Sequence, residues 1–430
     1  MNKYLPASLD QAILFMIIVS MAVGYPVFES RYGGKSISLT DIIIILSSPY
    51  VFYRLFHIKD LLSWKLSRGP NILLISFLIP ILIHVPQDGV RSLFGWMRPA
   101  GLFVTVLTLF LEDYDRQLKV IYDAFVIALF MTLFVGFISI ISYAFLDTST
   151  SGVLIRPYYF GLWPVQLAGL DGHPNGAAQF IMISAGTIWF LNKRMSKVWI
   201  ICFAIPGLIA TLSKSILIYT SVALGFFRRI KPETFLSKIS FWISMLFIGC
   251  YLFFAHFYPV PTDKRDLKDL NSFIIENQPV FKAGHYAFYE TIYSANKIAA
   301  IQAFTSTPVS GIGPGNYIPF IQKLKLEGKY PDNNQFLNPH CTYTSLAAKF
   351  GLIGLIGLII CIANIFKSIQ RIENNQLKTL FSAVYIIFVL DAITSDLEYA
   401  RLFWFFNAWL CAHLLSQSSS PRNHEQEATQ

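Results

Sequence analysis

Residues 120–146 read VIYDAFVIALFMTLFVGFISIISYAFL, an apolar run whose one formal charge is Asp123. As a helix it can cross about 30 Å of hydrocarbon, where a backbone must satisfy its own hydrogen bonds. Further apolar runs between polar breaks lie near residues 11–28, 39–56, 70–85, 97–111, 174–191, 198–211, 215–227, 239–257, 341–366, 379–393 and 402–416. Together these make twelve; the short runs 198–211 and 215–227, divided only by Thr211-Leu212-Ser213-Lys214, can also be read as one kinked helix. Of the 430 residues, 54% are hydrophobic and 14% charged, with a mean hydropathy of +0.51. A soluble domain does not need that much apolar surface, because a globular core never covers every face of its helices. The fold expected is an all-α polytopic membrane protein of about twelve transmembrane helices, with one long extracytoplasmic loop containing an amphipathic helix.

Residues 1–257 carry the first nine helices, 258–340 the loop, 341–416 the last three helices, and 417–430 a polar tail with the composition of disorder. The first span begins near Gln11 without an obvious small-residue cleavage site, and reads as a retained helix. The net charge of +9 is a topology signal. Seventeen basic residues lie in the head, the tail and loops such as Lys193-Arg194-Met195-Ser196-Lys197 and Arg228-Arg229-Ile230-Lys231. The opposite short loops hold seven: Arg31, Lys35, Arg91, Arg98, Arg156, Lys214 and Arg401. Basic residues concentrate on the cytoplasmic side, so both termini are expected there and residues 258–340 outside. A nucleic-acid footprint is not expected. Cys202, Cys250, Cys341, Cys361 and Cys411 have neither disulfide nor metal spacing and read as small buried hydrophobes.

The long loop holds eight basic and seven acidic residues, unlike a polybasic tether. Within it Phe288, Ile292, Ala295, Ile298, Ile301 and Phe304 recur at helical spacing, which predicts an amphipathic helix lying on the bundle. Thr307-Pro308 ends it, and Gly311-Ile312-Gly313-Pro314-Gly315-Asn316 follows as a turn whose glycines permit positive φ.

Ionisable groups at a membrane rim are costly and therefore informative. On the outer side they are Arg98, Arg156, His173, Lys214, Lys297, His340, Asp391, Asp396, Glu398 and Arg401. An imidazole among cations suits a phosphate-bearing substrate: the cations stabilise a departing diphosphate while the imidazole takes a proton from an attacking hydroxyl. His340 is the candidate base, against the plainer reading of a structural loop-end histidine. Lys214 could equally be a snorkelling lysine, and His173 a helix-capping one. Asp391, Asp396, Glu398 and Arg401 read as an internal ion-pair network. Trp96, Trp163, Trp404 and Trp409 read as interface-belt aromatics, with sugar stacking as the alternative.

The run Pro308-Val309-Ser310-Gly311-Ile312-Gly313-Pro314-Gly315-Asn316-Tyr317, then His340-Cys341-Thr342-Tyr343 with Leu346 and Gly351, resembles the signature of the O-antigen ligase and polymerase superfamily. His173-Pro174-Asn175-Gly176-Ala177 and Thr211-Leu212-Ser213-Lys214-Ser215 are similar to two further family motifs, so the resemblance spans most of residues 150–360. It implies a membrane glycosyltransferase that inverts at the anomeric carbon without metal or other cofactor. The donor would be an undecaprenyl-diphosphate-linked glycan at the outer face of a bacterial inner membrane. The acceptor would be a second lipid-linked repeat unit for a polymerase, or lipid A-core for a ligase. Carried over, His340 is the base, and Lys214 takes the place of the motif arginine at the diphosphate. Arg156 and Lys297 would lie near that group, Asn175 and Tyr343 would help bind substrate, and Pro308, Gly311, Gly313 and Gly315 would shape the loop. Three positions depart from the family: Cys341 replaces an asparagine, Lys349 a glutamate and Lys214 an arginine. A lysine lacks the planar two-point grip of arginine. Polymerase is preferred slightly, because the ligase-like arginines are missing. A lipid-linked oligosaccharide transporter is the rival from another class, but it predicts two homologous halves, which the sequence does not display.

Overall fold

The computed structural model describes residues 8–23, 26–28, 37–57, 68–88, 91–111, 113–146, 153–155, 165–171, 174–191, 197–230, 235–262, 274–275, 278–332, 338–396 and 400–418. It is mostly helical. The first nine helices are α1 (Leu9–Met21), α2 (Leu39–His57), α3 (Arg68–Asp88), α4 (Arg91–Phe110), α5 (Tyr114–Leu146), α6 (Pro174–Leu191), α7 (Lys197–Thr211), α8 (Ser215–Ile230) and α9 (Phe235–His256). Two follow within the long loop, α10 (Ile292–Ser306) and α11 (Tyr317–Leu326), and then come α12 (Thr342–Gln370), α13 (Asn375–Asp391) and α14 (Arg401–Ser418). Two short antiparallel pairs, β1 (Pro26–Phe28) with β2 (Ile37–Ser38) and β3 (Val153–Ile155) with β4 (Val165–Leu167), cap helix ends.

Among the described residues, five helical segments are long and apolar enough to cross a membrane: Gly69–Pro86, Ser92–Phe110, Tyr114–Phe145, Lys238–His256 and Thr342–Gln370. That is fewer than the twelve runs in the sequence. The apolar helices Leu9–Met21, Lys197–Thr211 and Ser215–Gly225 are shorter, at 10–17 residues. Local chemistry explains why. The run at 11–28 contains Pro26, which opens β1, so its last residues are strand rather than helix. Runs 198–211 and 215–227 are two helices rather than one, because the chain between them turns through Leu212 at φ 45°.

One core joins α1, α3, α4, α5, α6, α12, α13 and α14. Trp404 and Trp409 of α14 lie in it, 1% and 0% exposed, which corrects their reading as interface-belt or sugar-stacking aromatics. Trp409 sits edge-on to Phe381 at 5.0 Å and donates its indole N–H to the Tyr114 hydroxyl at 3.1 Å.

The long loop opens on a three-stranded antiparallel sheet in the order β5 (Phe257–Pro261), β7 (Tyr286–Glu290), β6 (Phe281–Ala283). Phe288 belongs to β7, where it stacks on Phe281 at 4.7 Å, so the loop helix is shorter than its sequence periodicity implies. It starts at Ile292. Its buried face is also different: Ile292, Ala295, Asn296, Ala299, Ala300 and Ala303 are covered, whereas Ile298 and Ile301 are more than half exposed. Alanines let α10 approach α12 closely, and the bulkier isoleucines turn outward.

The meeting of this loop with α12 fixes the loop end of the molecule. Inside α12, Gly351 has φ 63° and ψ −155°, which no helix and almost no side-chain-bearing residue adopts. The break frees four backbone groups, because Leu352 and Ile353 no longer donate to Ala348 and Lys349. The glycine turn takes all four. Leu352 N–H donates to Pro308 O at 2.8 Å and Ile353 N–H to Val309 O at 3.3 Å, while Ala348 O accepts from Ile312 N–H at 2.9 Å and Lys349 O from Gly313 N–H at 3.1 Å. Gly311 and Gly313, at φ 66° and 85°, make that turn possible.

A Cβ at Gly351 would lie 2.3 Å from Val309 O, a contact with backbone that cannot swing away. Gly351→Ala is expected to lower stability by about 3 kcal/mol or to abolish folded protein, from backbone strain and the clash together. Gly249→Ala, on an exposed helix face with nothing within 4 Å, is the control expected to behave as wild type. Thermal melting in detergent compares them, and equal melting temperatures would refute the exchanged ladder.

Candidate functional site

Residues 338–342 bring His340 into position. Asn338 is the hub: its carbonyl accepts from Asn296 Nδ2 at 2.8 Å, its Oδ1 accepts from Lys349 Nζ at 3.2 Å, and its Nδ2 donates to the Asp396 carboxylate. On the other side of His340, Thr342 N–H donates to Ala392 O at 2.8 Å and Thr342 Oγ1 to Ser395 O at 2.6 Å. Between these anchors His340 adopts φ 49°, a left-handed conformation that costs a residue with a side chain on the order of 1–3 kcal/mol. Its ring meets the edge of Tyr293, with centroids 4.9 Å apart and planes at 70°.

Lys214 reaches the same tyrosine from the opposite helix pair, its Nζ 5.2 Å from the Tyr293 ring centre. It is presented by the tight turn between α7 and α8. There Ser213 Oγ donates to Asn175 Oδ1 at 2.8 Å, Ser215 N–H donates to Ser213 Oγ at 3.2 Å, and Leu212 O accepts from Gln166 Nε2 at 3.2 Å. Lys297, on α10 next to Asn296, has its Nζ 3.5 Å from His256 Nε2, and His256 Nδ1 is 3.3 Å from Ser294 Oγ. Lys349 is buried, 5% exposed, with its Nζ 5.9 Å from the Tyr317 ring centre.

The electrostatics follow from that crowding. Burial lowers the His340 imidazole from its usual value to about 4, and Lys214, Lys349 and Lys297 add to the effect in that order. The ring is therefore neutral at pH 7 and can accept a proton. Burial also lowers the Lys297 ammonium and raises the Asp396 carboxyl, the latter opposed by Lys349. Three ammonium groups around a neutral imidazole form a place where an anion replaces water with gain on both sides.

Of the residues singled out from sequence, His340, Lys214 and Lys297 come together. Pro308, Gly311 and Gly313 dock the loop on α12 and touch the site only through it; Gly311 O is also 3.0 Å from His84 Nε2. Gly315 lies in the same turn but lacks positive φ. Asn175 and Tyr343 each hold part of the surrounding structure. The Asn175 amide oxygen holds the Lys214 turn, and the Tyr343 hydroxyl donates to Val389 O at 2.9 Å, fastening α12 to α13. Among the described residues, two members of the expected ion-pair network bond to neutral groups. Asp391 takes its hydrogen bonds from Gln179, Ser215 and Tyr251, and Arg401 donates to Val23 O at 3.2 Å. Arg98 lies 3.6 Å from Asp41, on another part of the molecule. Arg156, Trp163, His173 and Glu398 lie outside the described residues.

Sequence reasoning missed His256, Tyr293, Asn296 and Asn338. His256 ends an apolar run and so carries the same rim signal as His340. The two asparagines and the tyrosine have no such signal, because their importance comes from neighbours far away in sequence. Lys349, noticed only as a departure from a pattern, is the third cation of the site. No protein-family model matches this sequence, and no curated protein matches it.

Two outcomes check this geometry. Asn338→Ala leaves a buried ammonium and a buried carboxyl without their shared amide, so the unfolding free energy is expected to fall by about 2 kcal/mol or more, whereas no change would contradict the hub. For His340, the folded-state pKa lies below the unfolded 6.5, so the unfolded chain binds the extra proton between those values. Its contribution to stability is complete above pH about 6.5 and is lost as pH falls towards about 4. His340→Gln is expected to flatten the melting-temperature profile of the wild type across that window.

Proposed function

We propose that this protein is a membrane glycosyltransferase of the O-antigen polymerase and ligase type. It transfers an oligosaccharide from undecaprenyl diphosphate to an acceptor hydroxyl at the outer face of a bacterial inner membrane. In this reading α1–α9 and α12–α14 make twelve crossings, both termini are cytoplasmic, and α10 and α11 belong to the extracytoplasmic loop. The observation that carries it is a neutral imidazole, His340, held among Lys214, Lys297 and Lys349.

The donor diphosphate lies among the three ammonium groups, and the acceptor hydroxyl approaches His340. The imidazole takes the hydroxyl proton as the oxygen bonds to the anomeric carbon from the face opposite the diphosphate. As that bond forms, the carbon–oxygen bond to the diphosphate breaks with inversion, and the negative charge that develops on the leaving group is met by the lysines. Lysines act here as point charges, and three of them replace the planar grip of an arginine. Binding also strengthens the base. Once the diphosphate neutralises the ammonium groups, the imidazole regains affinity for a proton, so the donor switches on its own general base. Asn175 and Tyr343 are positioning residues in this scheme. A second lipid-linked repeat unit is the preferred acceptor, and lipid A-core the alternative.

The test is His340→Ala, expressed at wild-type level in the native strain. Loss of long chains with single repeat units still attached to lipid A identifies the polymerase. Loss of all attached glycan, with polymer accumulating on the carrier, identifies the ligase. Unchanged chain length and attachment would overturn the proposal. The acid limb of kcat/KM, set by the free enzyme, is expected near pH 4, and the limb of kcat at distinctly higher pH because bound donor raises the imidazole. Coincident limbs would contradict the coupling.

A further inference from the structure

A cavity of about 400 Å³ lies between the α8–α9 hairpin and the helices α12 and α13, and His340 is not part of its wall. Its wall includes Ser221 and Gly225 of α8, Ser244 of α9, Phe366 of α12, and Ser382 and Ile386 of α13. The serines do not make it polar. Ser221 Oγ donates to Leu217 O at 2.7 Å, Ser244 Oγ to Ser221 O at 2.8 Å, and Ser382 Oγ to Lys378 O at 2.7 Å, so each hydroxyl proton is committed to a helix carbonyl. What remains facing inward is mostly hydrocarbon. Two of the walls, α9 and α12, belong to the segments long and apolar enough to cross a membrane, so the medium that reaches the cavity is lipid.

Its two ends differ. At one end Leu390 and Ile248 adjoin a buried polar layer in which Asp391 accepts from Gln179 of α6, Ser215 of α8 and Tyr251 of α9. Tyr219, Tyr251 and Asp391, each no more than 5% exposed, separate the cavity from the Lys214 turn. A lipid tail entering from the Lys214 turn would have to displace this buried polar layer. At the other end lies Gln370, whose carbonyl accepts from Lys378 Nζ at 2.8 Å, with the exposed Lys367 and Arg371 beside it. An apolar slot with a basic rim matches a single lipid of ordinary chemistry.

We propose that this cavity binds one acyl chain of an anionic phospholipid, whose headgroup phosphate is held by Lys378 and Arg371. The bound chain fills the space between the hairpin and α12–α13 and fastens the two together. The site is independent of the glycosyl-transfer reading and stands or falls separately from it.

Gly225 offers the test, because a Cβ added there meets nothing within 4 Å and a larger side chain grows into the cavity. Protein purified in mild detergent is washed extensively and its lipids are extracted for mass spectrometry. Melting is then followed while phosphatidylglycerol or phosphatidylcholine is added. Wild type and Gly225→Ala are expected to retain a phospholipid and to melt higher with phosphatidylglycerol than with phosphatidylcholine. Gly225→Phe is expected to lose both the lipid and the shift. Lys378→Gln, which leaves the cavity wall intact, is expected to keep lipid but lose the preference for phosphatidylglycerol. This second variant decides the matter if the phenylalanine variant does not fold. Absence of retained lipid in wild type, retention of a polyprenyl lipid instead, full retention by Gly225→Phe, or an unchanged headgroup preference in Lys378→Gln would each overturn the proposal.

Discussion

Four backbone hydrogen bonds between the glycine turn and the break in α12 hold the loop end of this protein together. A helix interrupted inside a membrane bundle leaves amides and carbonyls that hydrocarbon cannot satisfy. Here the break at Gly351 releases the groups that residues 308–313 accept and donate, so neither partner is complete without the other. The closeness is possible because both sides present glycine: a Cβ at Gly311 would sit 2.5 Å from the Lys349 carbonyl carbon. Once the turn is docked, Lys349 points to Asn338, Asn338 is tied to Asn296 on α10, and the chain between Asn338 and Thr342 is held in the strained bend at His340.

That architecture brings together charges that repel. Three lysines surround an imidazole that responds by staying neutral, and the carboxyl that compensates Lys349 reaches it through the amide of Asn338. An arrangement of this kind costs stability in the empty protein. It makes sense as an anion site, because a bound diphosphate removes the repulsion that the fold tolerates.

Much of this was legible in the sequence, and the boundary is physical. Helix class, the existence of a long loop and the joining of His340, Lys214 and Lys297 followed from hydropathy, from rim charges and from motif order. The end of the first span did not, because its helix stops at Met21 while the apolar composition runs on to 28. The loop helix was misplaced at one end because Phe288 satisfies a helical period and a strand alternation equally well. The roles of Asn338 and Asn296 depended on contacts across 42 residues, and Asn175 acts on Lys214 across 38 residues through Ser213. Periodicity carries no trace of such bonds. Trp404 and Trp409 looked like belt residues because membrane proteins bury aromatics and anchor with them alike.

The central claim is that the docked turn and the cations around His340 form a site for transfer from a lipid diphosphate. The most direct measurement supplies purified protein with a lipid-linked repeat unit and follows undecaprenyl diphosphate release together with glycan length. The account predicts that wild type releases one carrier diphosphate for each bond formed, and that His340→Ala, folded and still binding donor, releases none. Equal release by His340→Ala, or no transfer by wild type to either acceptor, would contradict it.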